Sequence, residues 1–231
     1  MITDMGAAIQ VGYMRIPLAT ALNWVREYTD IQRNTTEADP YAYPAYDRYE
    51  QDANDPRRVT DADLLAPTLL NVPPTIRAFY GLQRIRETLQ EGLANEDLAA
   101  PLADINDPRH VEAMVRPLYA VLDDPRTRPA GVRATTLSKV LHRKRPQSLV
   151  LHDRWVRACY VGEGKPVPAA RDRSWGDYMV AVTIAIGEDI RHQAAGFEQL
   201  DAVTAKPGEL SHVRLLDVLA WRSRGKPASA A

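Results

Sequence analysis

Apolar residues recur three and four positions apart along almost the whole chain, the spacing that lines one face of an α-helix, and runs of strict alternation are few. The pattern predicts an all-α protein. A first helix is expected over 18–32, with Leu22, Trp24 and Val25 inside it. The stretch 34–60 breaks the period. It holds Tyr41, Tyr43, Tyr46 and Tyr49 among acids and prolines, is too long for a connector, and reads as an ordered lobe packed on the body. Thr60 or Asp61 opens a short helix reaching Leu70, and Pro73-Pro74 separates it from a longer one over 75–91 with Leu82, Ile85 and Leu89 as its buried stripe. A further short helix follows Asn95. Asp107-Pro108 starts a helix to Leu122 that Pro117 should kink or divide. A turn then precedes a helix over 132–143, an extended link over 146–152 and a helix opening at Asp153. Long helices over 173–193 and 208–222 close the body, and the tail 225–231 reads as disordered. The expected organisation is an N-terminal helix and Tyr-rich segment over 1–60, then a helical body over 61–224 with a helix–hairpin–helix-like unit at 108–161.

Composition narrows the class. Of 231 residues, 45% are hydrophobic and 26% charged, enough to bury a core and far from the profile of a disordered chain. Cys159 is the single cysteine, which excludes an internal disulfide, a multi-cysteine zinc site and a four-cysteine cluster, and fits a reducing cytoplasm. The opening residues lack the pattern of a signal peptide, and no stretch approaches the roughly 18 apolar residues of a membrane span, so a cytoplasmic protein with no membrane partner is expected. His110, His192 and His212 lack ligand spacing with acids or Cys159, so neither a metal site nor a cofactor is expected.

Charge changes the picture more than composition does. The chain sums to −1, yet residues 126–157 hold nine cations against the single acid Asp153, a net of +8 that leaves −9 for the remainder. Such segregation suits one polyanion-facing surface on an otherwise acidic, soluble body. Arginines that solvate helix faces and pair with distant acids would give the same count.

The chemistry-bearing segment is GVRATTLSKVLHRKRPQSLVLHDRWVRACY, from Gly131 to Tyr160. It reads as a glycine turn, a helix with a Thr/Ser/Lys-rich face, a basic exit, a hydrophobic link, and an aspartate at the start of the next helix. This segment resembles the signature region of the helix–hairpin–helix DNA glycosylases of the endonuclease III type. Gly131-Val132 stands at the hairpin, and Asp153, 22 residues on, stands at the catalytic aspartate. The wider pattern, TLSKVLHRKRP with LHDRWVR, DADLLAPTLLN and HVRLLDVLAWR, is also similar to a family of uncharacterised proteins common in actinobacteria. The match covers about 30 of the 231 residues and departs from the superfamily at several positions. Thr135 occupies the position of the Schiff-base lysine, with Lys139 a helical turn further on. Arg133 replaces the second hairpin glycine, and Trp155 replaces a histidine.

The resemblance implies a monofunctional glycosylase acting on double-stranded DNA. A carboxylate near C1′ stabilises the sugar cation and activates water, and a base taken out of the stack needs aromatic neighbours. Asp153 is the implied carboxylate, and Trp155, Tyr160 or one of Tyr41 to Tyr49, Tyr46 among them, the stacking group. Gly131, Val132, Arg133, Lys139, His142, Arg143, Lys144 and Arg145 are the expected phosphate contacts. Asp153 also suits a plain helix cap. A non-catalytic nucleic-acid-binding module and a helical protein-interaction domain therefore stand as alternatives.

Overall fold

A computed structural model describes residues 7–50 and 54–226, and it opens with an element that the helical period does not announce. AIQV-GY-MRIP alternates apolar and polar positions about a glycine and folds as an antiparallel hairpin, β1 (Ala8–Val11) and β2 (Met14–Pro17), with Ile9 opposite Ile16 and Val11 opposite Met14. These four side chains are buried, while Gln10 and Arg15 are exposed. Gly12 opens the two-residue loop at φ +62°, where glycine carries no steric cost, and a Cβ there would lie 2.4 Å from the Cys159 carbonyl oxygen.

Apart from an isolated bridge between Val161 and Val167, the other regular elements among the described residues are helices, so the fold is mostly rather than wholly α. Two helices, α1 (Leu18–Thr29) and α2 (Ile31–Thr36), occupy the first expected stretch. They part at Asp30, whose carboxylate caps α2 through the Arg33 amide at 2.9 Å. The capping box of Thr60 and Asp63 starts α3 (Asp61–Leu65), which continues as a 3-10 turn, Ala66–Leu70. The single helix expected over 75–91 is divided at Ile85 into α4 (Ile76–Arg84) and α5 (Arg86–Leu93). Two 3-10 turns, Glu96–Ala99 and Leu102–Asp104, lead to α6 (Pro108–Ala120), capped by Asp107. Pro117 does not divide α6, although it has no N–H to give the preceding turn.

After residues 121–133 come α7 (Ala134–Lys144), α8 (Arg154–Tyr160), α9 (Trp175–His192), α10 (Ala194–Ala202) and α11 (His212–Ser223). The α10 helix lies beyond the expected end of α9, which stops where the Gln193 backbone turns to φ −134°. The last helix starts later than expected, where Ser211 takes the Arg214 amide at 3.0 Å. Residues 227–231 of the expected tail lie outside the described residues. The α6 helix lies along α9, and α11 packs on α1, α8 and α10.

The middle of the molecule is α7, in which Ala134 and every residue from Thr136 to Lys144 is buried. Its polarity has a local cause. The link over 146–152 carries five successive buried residues, Ser148 to His152, yet joins no sheet, so its backbone groups need other partners. Side chains of α7 supply them: Ser138 Oγ accepts the His152 N–H at 3.0 Å, and His142 Nδ1 lies 2.7 Å from the Leu149 carbonyl, as its donor. Burial keeps the His142 imidazole neutral, with its pKa lowered to about 3.

Candidate functional site

Asp153 ends the buried link and begins α8. Its Oδ1 accepts the amides of Trp155 at 2.7 Å and Val156 at 3.0 Å. This is an N-cap, and it uses only that one oxygen. With Ser138 holding the residue before it, the carboxylate stands on fixed backbone at both sides. Two hollows meet there.

The first is a cleft of about 390 Å³ lined by Arg128, Val132, Arg133, Asp153, Arg154 and Arg157, with the first residues of α7 at its wall. No side chain caps α7 at Arg133, so amides of its first turn remain for water or a ligand. A neighbouring cleft of about 640 Å³ shares His152, Arg157 and Trp175 with the first and adds Arg171, Arg173 and Tyr178. Six arginines and one carboxylate thus line the pair of clefts. None of the six forms an ion pair among the described residues.

The second hollow, of about 100 Å³, has Tyr28, Tyr41 and Trp221 as aromatic walls and holds Asp153, Lys139, Arg214 and Asp217. Arg214 is buried; its Nε lies 2.8 Å from Asp47 Oδ1, and its terminal nitrogens reach Asp217 and Tyr28 Oη. Lys139 is only 4% exposed, and among the described residues its ammonium makes no hydrogen bond or ion pair. Burial pushes the Lys139 ammonium towards its neutral form, while Asp217 and Asp153 hold it charged. Burial likewise pushes the Asp217 carboxyl up, against the pull of Arg214 and Lys139.

Several expected contacts sit elsewhere. Arg143 and Lys144 do not join a positive face: Arg143 Nε lies 2.7 Å from Asp63 Oδ1 and Lys144 Nζ 3.0 Å from Asp63 Oδ2, with all three side chains buried. Lys144 also reaches Asn54. Burial opposes the Asp63 charge, but the Thr60 amide, Lys144 and Arg143 hold its carboxyl below the usual range. Arg145 is half-buried and donates to the Leu93 carbonyl at 3.0 Å. His142 is interior as a partner of the link, and Lys139 is interior on the aromatic-walled hollow. Gly131, at φ +78°, packs its backbone on α4, where a Cβ would lie 3.0 Å from the Ala78 amide nitrogen. Of the expected phosphate contacts, Val132 and Arg133 line the cleft.

The aromatic expectations divide similarly. Tyr160 is fully buried and donates to Asp189 Oδ2 at 2.6 Å, so it has no face to offer. Tyr46 is buried with its hydroxyl on the Lys139 carbonyl at 2.7 Å and is not among the residues that line the hollow at Asp153. Trp155 is half-buried with the Arg154 guanidinium 4.3 Å over its ring. Tyr41, from the Tyr-rich segment, is the member of that group that reaches the pocket. Among the described residues no three His, Cys, Asp or Glu side chains gather as a metal site needs, and no helix is long and apolar enough to cross a membrane.

One protein-family model matches residues 21–224, the stretch from α1 to the end of α11. The chain belongs to DUF6308, a family of unknown function. No curated protein and no solved structure matches it. Both clefts and the aromatic pocket lie inside the DUF6308 span, whereas the β1–β2 hairpin lies outside it.

Residues that sequence reasoning passed over complete the site. Arg128, Arg154 and Arg157 enter the charge count but are not singled out, and the RDRSW run from Arg171 to Trp175 carries the basic–aromatic signal that would have found the second cleft. Arg214 and Asp217 lie in a helix that reads as plain core, and nothing local to them marks a pocket.

Proposed function

We propose that the chain is a helix–hairpin–helix DNA-glycosylase-like protein that binds double-stranded DNA and hydrolyses the N-glycosidic bond of a modified base. One observation carries the reading: Asp153 borders both an arginine-lined cleft and an aromatic-walled pocket. Phosphates suit the first hollow and a base the second, so the bond between sugar and base falls at the carboxylate. In the reaction the C1′–N bond breaks, the base leaves with the electron pair, and positive charge develops on the sugar. Asp153 stabilises that charge and accepts a proton from the water whose oxygen bonds to C1′; the base takes up the proton. Tyr41 and Trp221 flank the base, and Lys139 and Asp217 meet its polar edge.

The test is base release from duplexes carrying a panel of modified bases, followed separately from strand scission. Asp153→Asn keeps the cap's size and acceptor oxygen, so folding and DNA binding should persist while release falls by roughly 10² or more. The abasic strand should stay intact until alkali is added, because Thr135 stands at the lyase-lysine position. No release by the wild-type protein from any duplex would favour a binding module. A borohydride-trapped adduct at Lys139 would replace hydrolysis with imine chemistry.

A further inference from the structure

The 640 Å³ cleft is not needed to bring a base to Asp153, yet it carries half of the six cleft arginines, with Arg157 common to both hollows. Trp175 lies where the two clefts join and is 37% exposed. Its ring is braced rather than loose. Tyr178 meets it edge-on with centroids 5.5 Å apart, and His152 meets Tyr178 edge-on at 5.2 Å. His152 Nε2 lies 2.9 Å from Tyr178 Oη, and its Nδ1 is buried without a partner among the described residues. When the tyrosine hydroxyl donates to Nε2, Nδ1 carries the proton and is a donor with no acceptor.

We infer that the joined clefts form a groove for an unpaired DNA strand, with Arg157, Arg171 and Arg173 on successive phosphates and one base stacked on Trp175. The inference rests on the proposal that this face takes DNA, and it specifies the form of DNA that fills it. Three physical points favour a single strand. A duplex keeps the faces of its bases covered, so only an unpaired base can stack on an indole. Both clefts fall in the roughly 300–1,000 Å³ range of pockets that enclose small ligands, a scale that takes in nucleotides one at a time, whereas a double helix can only rest its backbone on the rim. Arginines that alternate with an exposed aromatic face are the combination that single-strand binders use. An acidic peptide would satisfy the arginines and leave the indole face idle.

The experiment is fluorescence anisotropy with the full chain, using a labelled strand of about 12 nucleotides, the blunt duplex of the same sequence, and polyglutamate as competitor. The single strand should bind at least about tenfold tighter than the duplex and quench tryptophan emission. Trp175→Ala should weaken single-strand binding by about tenfold, the scale of one lost stack, Trp175→Phe should restore most of it, and duplex affinity should stay put. If Trp175→Ala does not fold, Arg171→Glu, at an exposed position, takes its place and should weaken the single strand more than the duplex. Equal affinity for both forms, no effect of the folded variants, or displacement of the strand by polyglutamate at equal charge would overturn the inference. Base release from blunt duplex without single-strand preference would sink this inference and keep the proposed activity. Tight single-strand binding without base release would do the reverse.

Discussion

Arg143 and Lys144 on α7, and Arg133, Arg154 and Arg157 around the cleft, come from one basic stretch of sequence and end in opposite settings. The first pair is buried against Asp63, a carboxylate some 80 positions earlier in the chain, with bonds of 2.7 and 3.0 Å. The second group is exposed and has no ion pair among the described residues. A buried cation must be paired because desolvation is otherwise prohibitive, whereas an exposed one stays hydrated and free to meet a phosphate. Cation count along the sequence therefore overstates the exposed, unpaired basic surface. Only the unpaired fraction is free to meet a polyanion.

The largest effect is expected from Asp63→Ala, which strands two buried cations. It should cost about 3–5 kcal/mol in denaturant unfolding, while Arg157→Ala should stay within about 0.5 kcal/mol of wild type. Equal costs would mean that the two groups are not differently placed. The converse experiment reads DNA binding. Arg133→Glu combined with Arg157→Glu should lower duplex affinity by about tenfold or more and reduce the salt slope by about 2. A folded Arg143→Gln variant should leave the slope alone, and a flattened slope there would return α7 to the binding face.

A pH dependence follows from the histidines that accompany the buried group. Burial lowers the pKa of His142 to about 3 and that of His152 to about 4, against roughly 6.5 in an unfolded chain. Between those values the unfolded chain holds more protons, so stability rises with pH there. The contribution is complete above about pH 6.5 and is lost as the pH falls towards about 4. Urea midpoints measured from about pH 7 down to about pH 4.5 should show this decline, and His142→Asn should flatten it.

Much of the helical frame was legible because its signals are local. Asp107-Pro108, Thr60 and Asp153 each cap the helix they announce, with Thr60 and not Asp61 taking the cap of α3. The breaks at Asp30 and Ile85 were not legible, because apolar spacing runs across both without interruption. The hairpin escaped for the opposite reason: strands of four residues are too short for alternation to outweigh a helical background. At the site, Asp153 and Arg133 could be read from order and spacing. The burial of Lys139, His142, Arg143 and Lys144 could not, since it depends on Asp63 and on a link that takes its hydrogen bonds from α7 instead of from a sheet. Trp221 and Asp217 reach the pocket only through tertiary packing.

The β1–β2 hairpin has a consequence for how the protein is made. Its two strands can pair within microseconds, but the groups that anchor it are distant in sequence. The Gly12 amide binds Asp189 at 2.7 Å across 177 positions, and the Gln10 amide binds Gln193 at 2.8 Å across 183. At the usual 5–20 residues per second, roughly ten to forty seconds of synthesis separate the hairpin from its partners. Throughout that interval Ile9, Val11, Met14 and Ile16 have α1 beside them but not α9 or α11, and both strand edges are open, the condition in which nascent chains pair with one another. Solubility during synthesis should therefore be more sensitive to charge at Gln10 and Arg15, on the hairpin's outer face, than the finished fold is.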